Sequence, residues 1–244
     1  PLYSSAASDV YKRQEFMRYL IPALFIAALI VGFAACSRCN HNIESKQQAM
    51  VERQIRFRGI SDENVLKVMR QVPRVAFVPE EHHKIAYDDM RVPTGHGQTL
   101  DRPYEDALIL DTIKIKPTDK VLEVGTGSGY LAALMSRLAK NVYTIEIVPD
   151  LGNQASERLA KLMYNNIEVK VGDGFLGWEE NAPFDVIVLT ASPATIPDPL
   201  QKQLKEGGRL LLPLGGNERF QELLLYTKKD GQVQLERRVA PTQF

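Results

Sequence analysis

The chain has 244 residues, more than a single α/β domain of roughly 100–200 residues needs, and 44% of them are hydrophobic, enough for a sizeable buried core. Thirty basic and thirty acidic residues give a formal net charge of zero with no long basic run, so nucleic-acid binding gets no electrostatic support. The two cysteines, Cys36 and Cys39, exclude a disulfide framework; their C-x-x-C spacing stands outside any βαβ unit and lacks a second ligand pair, so no metal site is expected.

In chain order, the first signal is the almost unbroken apolar run Leu20 to Ala35. A spanning helix needs about twenty apolar residues, and this run is shorter. Met17 and Arg18 precede it and Cys36 ends it, so residues 17–36 read as a secretory signal segment. Phe33-Ala34-Ala35-Cys36 resembles a bacterial lipobox, with Phe33 where leucine is usual. Cys36 is therefore the expected lipidation site. A lipoprotein anchored on the periplasmic side of a membrane follows from that. An uncleaved anchor, or a true start further down the chain that would leave the protein cytoplasmic, remain open alternatives. Residues 1–16 precede Met17 and read as a non-native leader, residues 37–45 as a polar linker, and residues 46–244 as the folded domain.

Met50, Ile55, Val65, Leu66, Val68 and Met69 recur at mostly helical spacing, interrupted by Gly59, with Ser61 as the expected cap of the second helix. Pro73 and Pro79 bracket an extended piece, Val75-Ala76-Phe77-Val78. A helical N-terminal extension thus reaches about Met90. Pro93 to Pro103 reads as a loop, and Tyr104 to Ile113 as a helix. Strands are then expected at Val121–Val124, Val142–Ile147, Ile167–Val171, Phe184–Leu189, Arg209–Leu212 and Leu223–Tyr226. Helices are expected at Tyr130–Ala139, Leu151–Met163 and Ile196–Leu204. This alternation predicts an α/β fold with a doubly wound, mostly parallel, Rossmann-like sheet, whose ligands bind beyond the carboxyl ends of the strands.

Three strand ends carry the candidate binding residues. Glu123-Val124-Gly125-Thr126-Gly127-Ser128-Gly129 follows the first strand, where glycines permit a tight turn and close approach of a ligand to the backbone. The third glycine comes one residue earlier than in a dinucleotide fingerprint. Glu146 closes the second strand and suits the hydroxyls of a ribose; Asp173, with Gly174, follows the third and suits an adenine amino group. His82, His83 and His96 have no metal-ligand spacing and read as structural. Tyr87 and Tyr104 serve either a peptide cleft or packing, and Trp178 reads as core or cleft wall.

Several segments together resemble the protein-L-isoaspartate O-methyltransferase family of class I methyltransferases. They are Gly59-Ile60, Val72-Pro73-Arg74, Phe77-Val78-Pro79, Ala86-Tyr87-Asp88, Gly97-Gln98-Thr99 before Pro103-Tyr104, and Val121 to Tyr130. Thr190-Ala191-Ser192-Pro193 and Leu204 to Gly215 continue the likeness, which covers about residues 48 to 244. The resemblance implies S-adenosyl-L-methionine bound by Glu123, Gly125, Thr126, Gly127, Gly129, Glu146, Asp173 and Gly174. It also implies a monomer that methylates the α-carboxyl of L-isoaspartyl residues in damaged proteins or peptides. The ester then cyclises to a succinimide that hydrolyses partly to aspartate. The family pattern continues past Phe244, so a C-terminal truncation is expected.

One departure touches the chemistry. The family loop reads Gly-Gln-Thr-Ile-Ser-Gln-Pro, whereas here it reads Gly97-Gln98-Thr99-Leu100-Asp101-Arg102-Pro103, with Asp101 in place of the serine. Thr99, Asp101 and Arg102 are the candidate catalytic residues. An ionised Asp101 would repel a substrate carboxylate. Protonation of Asp101, donation from Arg102 instead, a different carboxyl substrate, and a loop pair without a role each reconcile the departure. An S-adenosylmethionine-binding protein without turnover is the remaining reading. A periplasmic location also conflicts with the usual supply of this cofactor.

Overall fold

The computed structural model of the protein describes residues 43–215 and 221–242. The signal segment, Cys36 and Cys39 lie outside the described residues. Helix α1 (43–50) runs on into a π turn, Val51–Ile55, and a 3-10 turn, Arg56–Arg58. Gly59 ends it with φ of 99°, a left-handed cap that costs glycine little. Helix α2 (Glu63–Gln71) is capped by Asp62, not Ser61: the Asp62 carboxylate accepts from the Asn64 N–H at 3.0 Å. Gln47 ties the two helices together, its amide donating to the carbonyls of Met69 and Val72.

The segment expected to be extended is a 3-10 helix, Arg74–Phe77. The flanking prolines set the direction of the chain on either side, but Arg74 is fully buried and needs a turn to reach its partners. The stretch Pro93–Pro103 is likewise not a plain loop. It folds as an antiparallel hairpin, β1 (Val92–Gly95) with β2 (Gln98–Leu100). Gly95, His96 and Gly97 all take positive φ at its tip. Helix α3 (Pro103–Ile113) starts on a proline at its first position, and Glu105 accepts from the Arg102 N–H at 3.1 Å.

From there strands and helices alternate: β3 (Lys120–Val124), α4 (Tyr130–Ser136), β4 (Asn141–Glu146), α5 (Pro149–Lys161), β5 (Ile167–Val171), β6 (Phe184–Leu189), α6 (Asp198–Gln203) and β7 (Leu204–Gly215). A hairpin of β8 (Gln221–Lys229) and β9 (Gln232–Thr242) follows. The sheet order is β5-β4-β3-β6-β7-β8-β9. Pairings from β5 through β7 are parallel, and those of β7 with β8 and β8 with β9 are antiparallel.

Leu122, Val124, Tyr143, Ile145, Ile187, Leu189, Leu210 and Leu212 share one packed cluster, while the alternating Val121, Val142, Val186, Val188 and Leu211 are buried as well. A parallel sheet buried on both faces is the doubly wound arrangement expected. The order reverses between β3 and β6, which opens a crevice beyond their carboxyl ends. That crevice positions the site.

Candidate active site

A cleft of about 440 Å³ lies at this reversal. Its floor is made by the ends of β3, β4 and β6. Gly125 turns the chain with φ of 103°, and its N–H donates to the Ile145 carbonyl at 2.8 Å. A Cβ at Gly125 would sit 2.3 Å from the Thr190 hydroxyl oxygen, which itself donates to the carbonyls of Val124 and Gly125. Gly127 has φ of 52°, and a Cβ there would meet nothing within 4 Å. Its missing side chain is space that belongs to the cleft. The Gly127 N–H donates to Glu146 Oε2 at 2.8 Å, and the Val148 N–H donates to Glu146 Oε1 at 3.0 Å. Glu146 is thereby locked against the glycine turn. Asp173 accepts from the Phe175 N–H at 2.9 Å and caps a short turn at the end of β5.

Glu123 is fully buried beneath this floor and accepts from the Thr144 hydroxyl at 2.5 Å; Thr144 in turn is 2.6 Å from the Thr126 hydroxyl. Burial pushes its carboxyl up to about 8, Thr144 pulls it down, and the charges of Glu146 and Asp106 add to the rise. At neutral pH Glu123 is mostly a neutral acid, and its Oε1 is buried without a hydrogen-bond partner in the protein.

The hairpin and the start of α3 form the opposite wall, where Thr99 and Asp101 line the cleft. Burial and then the charge of Glu105 push Asp101 up to about 6, while Arg91 and Arg74 hold it down. Arg91 Nε stands 3.4 Å from Asp101 Oδ1, and Arg91 Nη2 stands 3.4 Å from Glu105 Oε2. Behind them Arg74 pairs with buried Asp106 at 3.0 Å and donates to the carbonyls of Ala86 and Asp101. Burial raises the Asp106 carboxyl against the pull of Arg74. At the hairpin tip, His96 Nε2 lies 3.6 Å from Asp150 Oδ2 on α5.

The structure thus brings together Thr99, Asp101, Glu123, Gly125, Thr126, Gly127, Glu146, Asp173 and Gly174. Two of the described residues expected to bind the cofactor or act in catalysis fall elsewhere. Gly129 packs: a Cβ there would press on Leu159 Cδ1 at 3.2 Å. Arg102 is exposed and lines a second cleft of about 290 Å³ with Arg58 and Tyr104, so it does not face Thr99 and Asp101 across the site. Tyr104 lies there too, under the Arg58 guanidinium at 3.6 Å from the ring centroid. Tyr87 is buried, and Trp178 packs edge-on against Tyr143. His83 contacts the Val78 carbonyl. Arg91, Asp106 and Thr190 were not marked as site residues. Thr190 carried a signal as the residue directly after the apolar β6 strand; Arg91 carried none, because its partners lie ten and fourteen residues further on.

Comparison with known proteins agrees with this geometry. Residues 45–244 match the family described as protein-L-isoaspartate(D-aspartate) O-methyltransferase. The chain is 50% identical over 184 residues to protein-L-isoaspartate O-methyltransferase 2 of Polaromonas sp., covering 75% of this chain and 87% of that one. It is 44% identical over 224 residues to the protein-L-isoaspartate O-methyltransferase of Opitutus terrae, covering 91% and 94% of the two chains. Among solved structures, a protein-L-isoaspartate O-methyltransferase from Plasmodium falciparum in complex with S-adenosyl-L-homocysteine superposes with a TM-score of 0.69. It is 29% identical over 81% of this chain and 96% of that one.

Proposed function

The chain belongs to the protein-L-isoaspartate O-methyltransferase family, and on that premise we propose that it methylates the α-carboxylate of L-isoaspartyl residues in damaged proteins, with S-adenosylmethionine as methyl donor. The supporting observation is continuity: one cleft runs from the glycine turn, Glu146 and Asp173 to Thr99 and Asp101 on the hairpin side. The residues fit the donor molecule. Gly127 leaves open space beside the backbone, two carboxylates can accept from hydroxyl and amino groups, and Glu123 Oε1 lacks a partner that a ligand can supply. When bound, S-adenosylmethionine supplies an electrophilic methyl group that passes to a carboxylate oxygen as its carbon–sulfur bond breaks.

The chain's own task is placement. An α-carboxyl with a pKa of about 3.5 is already ionised at neutral pH, so no general base is required. Rate then comes from holding one carboxylate oxygen in line with the methyl group. The floor fixes the donor side through Gly127 and Glu146, and the wall fixes the acceptor side. The test is methyl transfer to isoaspartyl peptides against matched aspartyl peptides. Selective transfer to the isoaspartyl form supports the assignment. Transfer to both indicates a carboxyl methyltransferase with another substrate, and cofactor binding without transfer indicates a protein that has lost turnover.

For the leader, we propose that Cys36 carries a lipid anchor. Support comes from the apolar run Leu20 to Ala35 and from Phe33-Ala34-Ala35-Cys36. Labelled palmitate should enter the protein in a bacterial host and be lost in Cys36→Ala; equal labelling of both would remove Cys36 as the site.

A further inference from the structure

Five acidic side chains line the cleft: Asp101, Asp106, Glu123, Glu146 and Asp173. Among the described lining residues Arg91 is the sole lysine or arginine. Four of the five acids are accounted for. Asp106 is paired with Arg74 inside the protein, Glu146 is held by two backbone N–H groups, Asp173 caps a turn, and Glu123 is held by Thr144 with its carboxyl pushed up to about 8. Among the described lining residues, the Arg91 guanidinium is the only cationic side chain an anionic substrate group entering this cleft meets.

The contacts of Arg91 with Asp101 and Glu105 are long. Its distances to Asp101 Oδ1 and to both Glu105 oxygens are all 3.4 Å, well beyond the 2.7–2.9 Å typical of a charge-assisted bond. By contrast Arg74, behind it, holds Asp106 at 3.0 Å and is fully buried. Arg91 keeps about a quarter of its side chain exposed (27%), at the base of the hairpin that carries Thr99. Its exposed edge lines the cleft, where a second carboxylate can compete with Asp101 for the guanidinium.

Resting on the isoaspartyl reading above, we propose that Arg91 is the anchor for the substrate α-carboxylate, which takes the place of Asp101 on the guanidinium. Asp101, displaced from its arginine, then lies beside two anions, Glu105 and the substrate, which favours uptake of a proton from solvent on binding, and the neutral acid donates that proton's hydrogen bond to the substrate carboxylate. A neutral carboxylic acid in that position donates as a hydroxyl would. The acidic residue and the arginine act as a pair. Arg102, the other arginine of this region, lines the second cleft and cannot substitute.

The test uses the full chain and two peptides, an isoaspartyl peptide and the same peptide with its α-carboxyl converted to a carboxamide, which competes for the site without accepting methyl. Wild type should bind the carboxylate form far more tightly than the carboxamide. Arg91→Ala should raise KM for the carboxylate peptide by about ten- to a hundredfold, the scale of a lost hydrogen bond to a charged group. It should also erase the preference for the carboxylate while affinity for S-adenosylhomocysteine stays level. Arg91→Lys, which keeps the charge without the fork, should fall between. Asp101→Ser combined with Arg91→Ala should recover part of the loss, because it removes the unpaired anion and leaves a hydroxyl donor. An unchanged KM and an intact carboxylate preference in both Arg91 variants overturns the anchor while leaving the methyltransferase reading in place. Wild type that neither methylates nor discriminates the isoaspartyl peptide overturns that reading, and the anchor with it.

Discussion

The floor of the cleft is held by backbone, and its wall by side-chain charge. On the floor, Gly125 and Gly127 donate N–H groups to Ile145 and Glu146 at 2.8 Å, and the strand ends beneath them are buried on both faces. On the wall, Arg91 stands 3.4 Å from Asp101 and Glu105, at the base of a hairpin only a few residues long whose tip is exposed. The floor is thus suited to a fixed ligand shared by every turnover. The wall is suited to a varying polypeptide that must enter and leave. The largest effect separating the two regions should come from Gly127→Val. The substituted position faces open cleft, where the branched side chain fills the space of the donor molecule; its φ of 52° also strains a branched residue, so a circular dichroism spectrum matching wild type is the control that the fold is intact. Calorimetry should show S-adenosylmethionine affinity reduced by about a thousandfold or more, roughly 4 kcal/mol. Unchanged affinity would mean that the glycine turn is not the binding surface.

Next comes the support behind the wall. Arg74 and Asp106 are both buried and paired, and Arg74 also holds the carbonyls of Ala86 and Asp101. Removing one member of a buried pair leaves the other charge uncompensated and costs about 3–5 kcal/mol. Arg74→Leu should lower unfolding free energy by that amount in denaturant titrations. Arg74→Leu with Asp106→Leu should recover a substantial part. A double variant no better than the single one would show that the carbonyl bonds, not the ion pair, carry the stability.

A smaller and pH-dependent effect distinguishes the acids of the two regions. Both are raised, so for each the folded state holds a proton that the unfolded chain releases. The stability this contributes is complete below the unfolded pKa and is lost as pH rises through the folded one. For Glu123 on the floor the window runs from 4.5 up to about 8; for Asp101 on the wall it runs from 3.8 to about 6. Glu123→Gln should flatten the fall of stability between these limits by at most about 1.4 kcal/mol per pH unit, and Asp101→Asn should act only in the lower window. Melting curves from pH 5 to 8 in which both variants track wild type would show that neither carboxyl is protonated in the folded protein.

The same division explains what the sequence made legible. The floor follows from local pattern: an apolar strand, Val121 to Val124, directly before three glycines, with acids closing the next two strands. Alternation of such segments was enough for the doubly wound sheet. The wall hides because its strands are only four and three residues long and its glycines look like loop. The final strand β9 was missed because Gln232 to Arg238 is polar and mostly exposed, although Asp230-Gly231 before it is a turn pair that favours a tight hairpin. The 3-10 turn at Arg74 could not be read from its prolines, since its cause is three partners up to 32 residues away. Arg91 was invisible for the same reason: a lone basic residue between Met90 and Val92 says nothing until folding brings Asp101 and Glu105 beside it.

The smallest effect is the one expected from Arg102, and it bears directly on how the wall works. By sequence, Arg102 is one of the candidate donors to a substrate carboxylate, because it adjoins Asp101. In the folded chain its backbone N–H caps α3 through Glu105, while its side chain is exposed and lines the second cleft with Arg58 and Tyr104. The cap survives any side chain except proline, since the donor is the main chain. Arg102→Ala should therefore change stability by no more than about 0.5 kcal/mol, as for an ordinary surface substitution. Its kcat/KM on an isoaspartyl peptide should stay within about twofold of wild type, under half a kcal/mol in transition-state terms. A tenfold or greater loss with unchanged cofactor affinity would show that the second cleft holds part of the substrate polypeptide. The wall would then extend past α3, and the contrast between a rigid floor and a short, charge-held wall would have to be redrawn to include it.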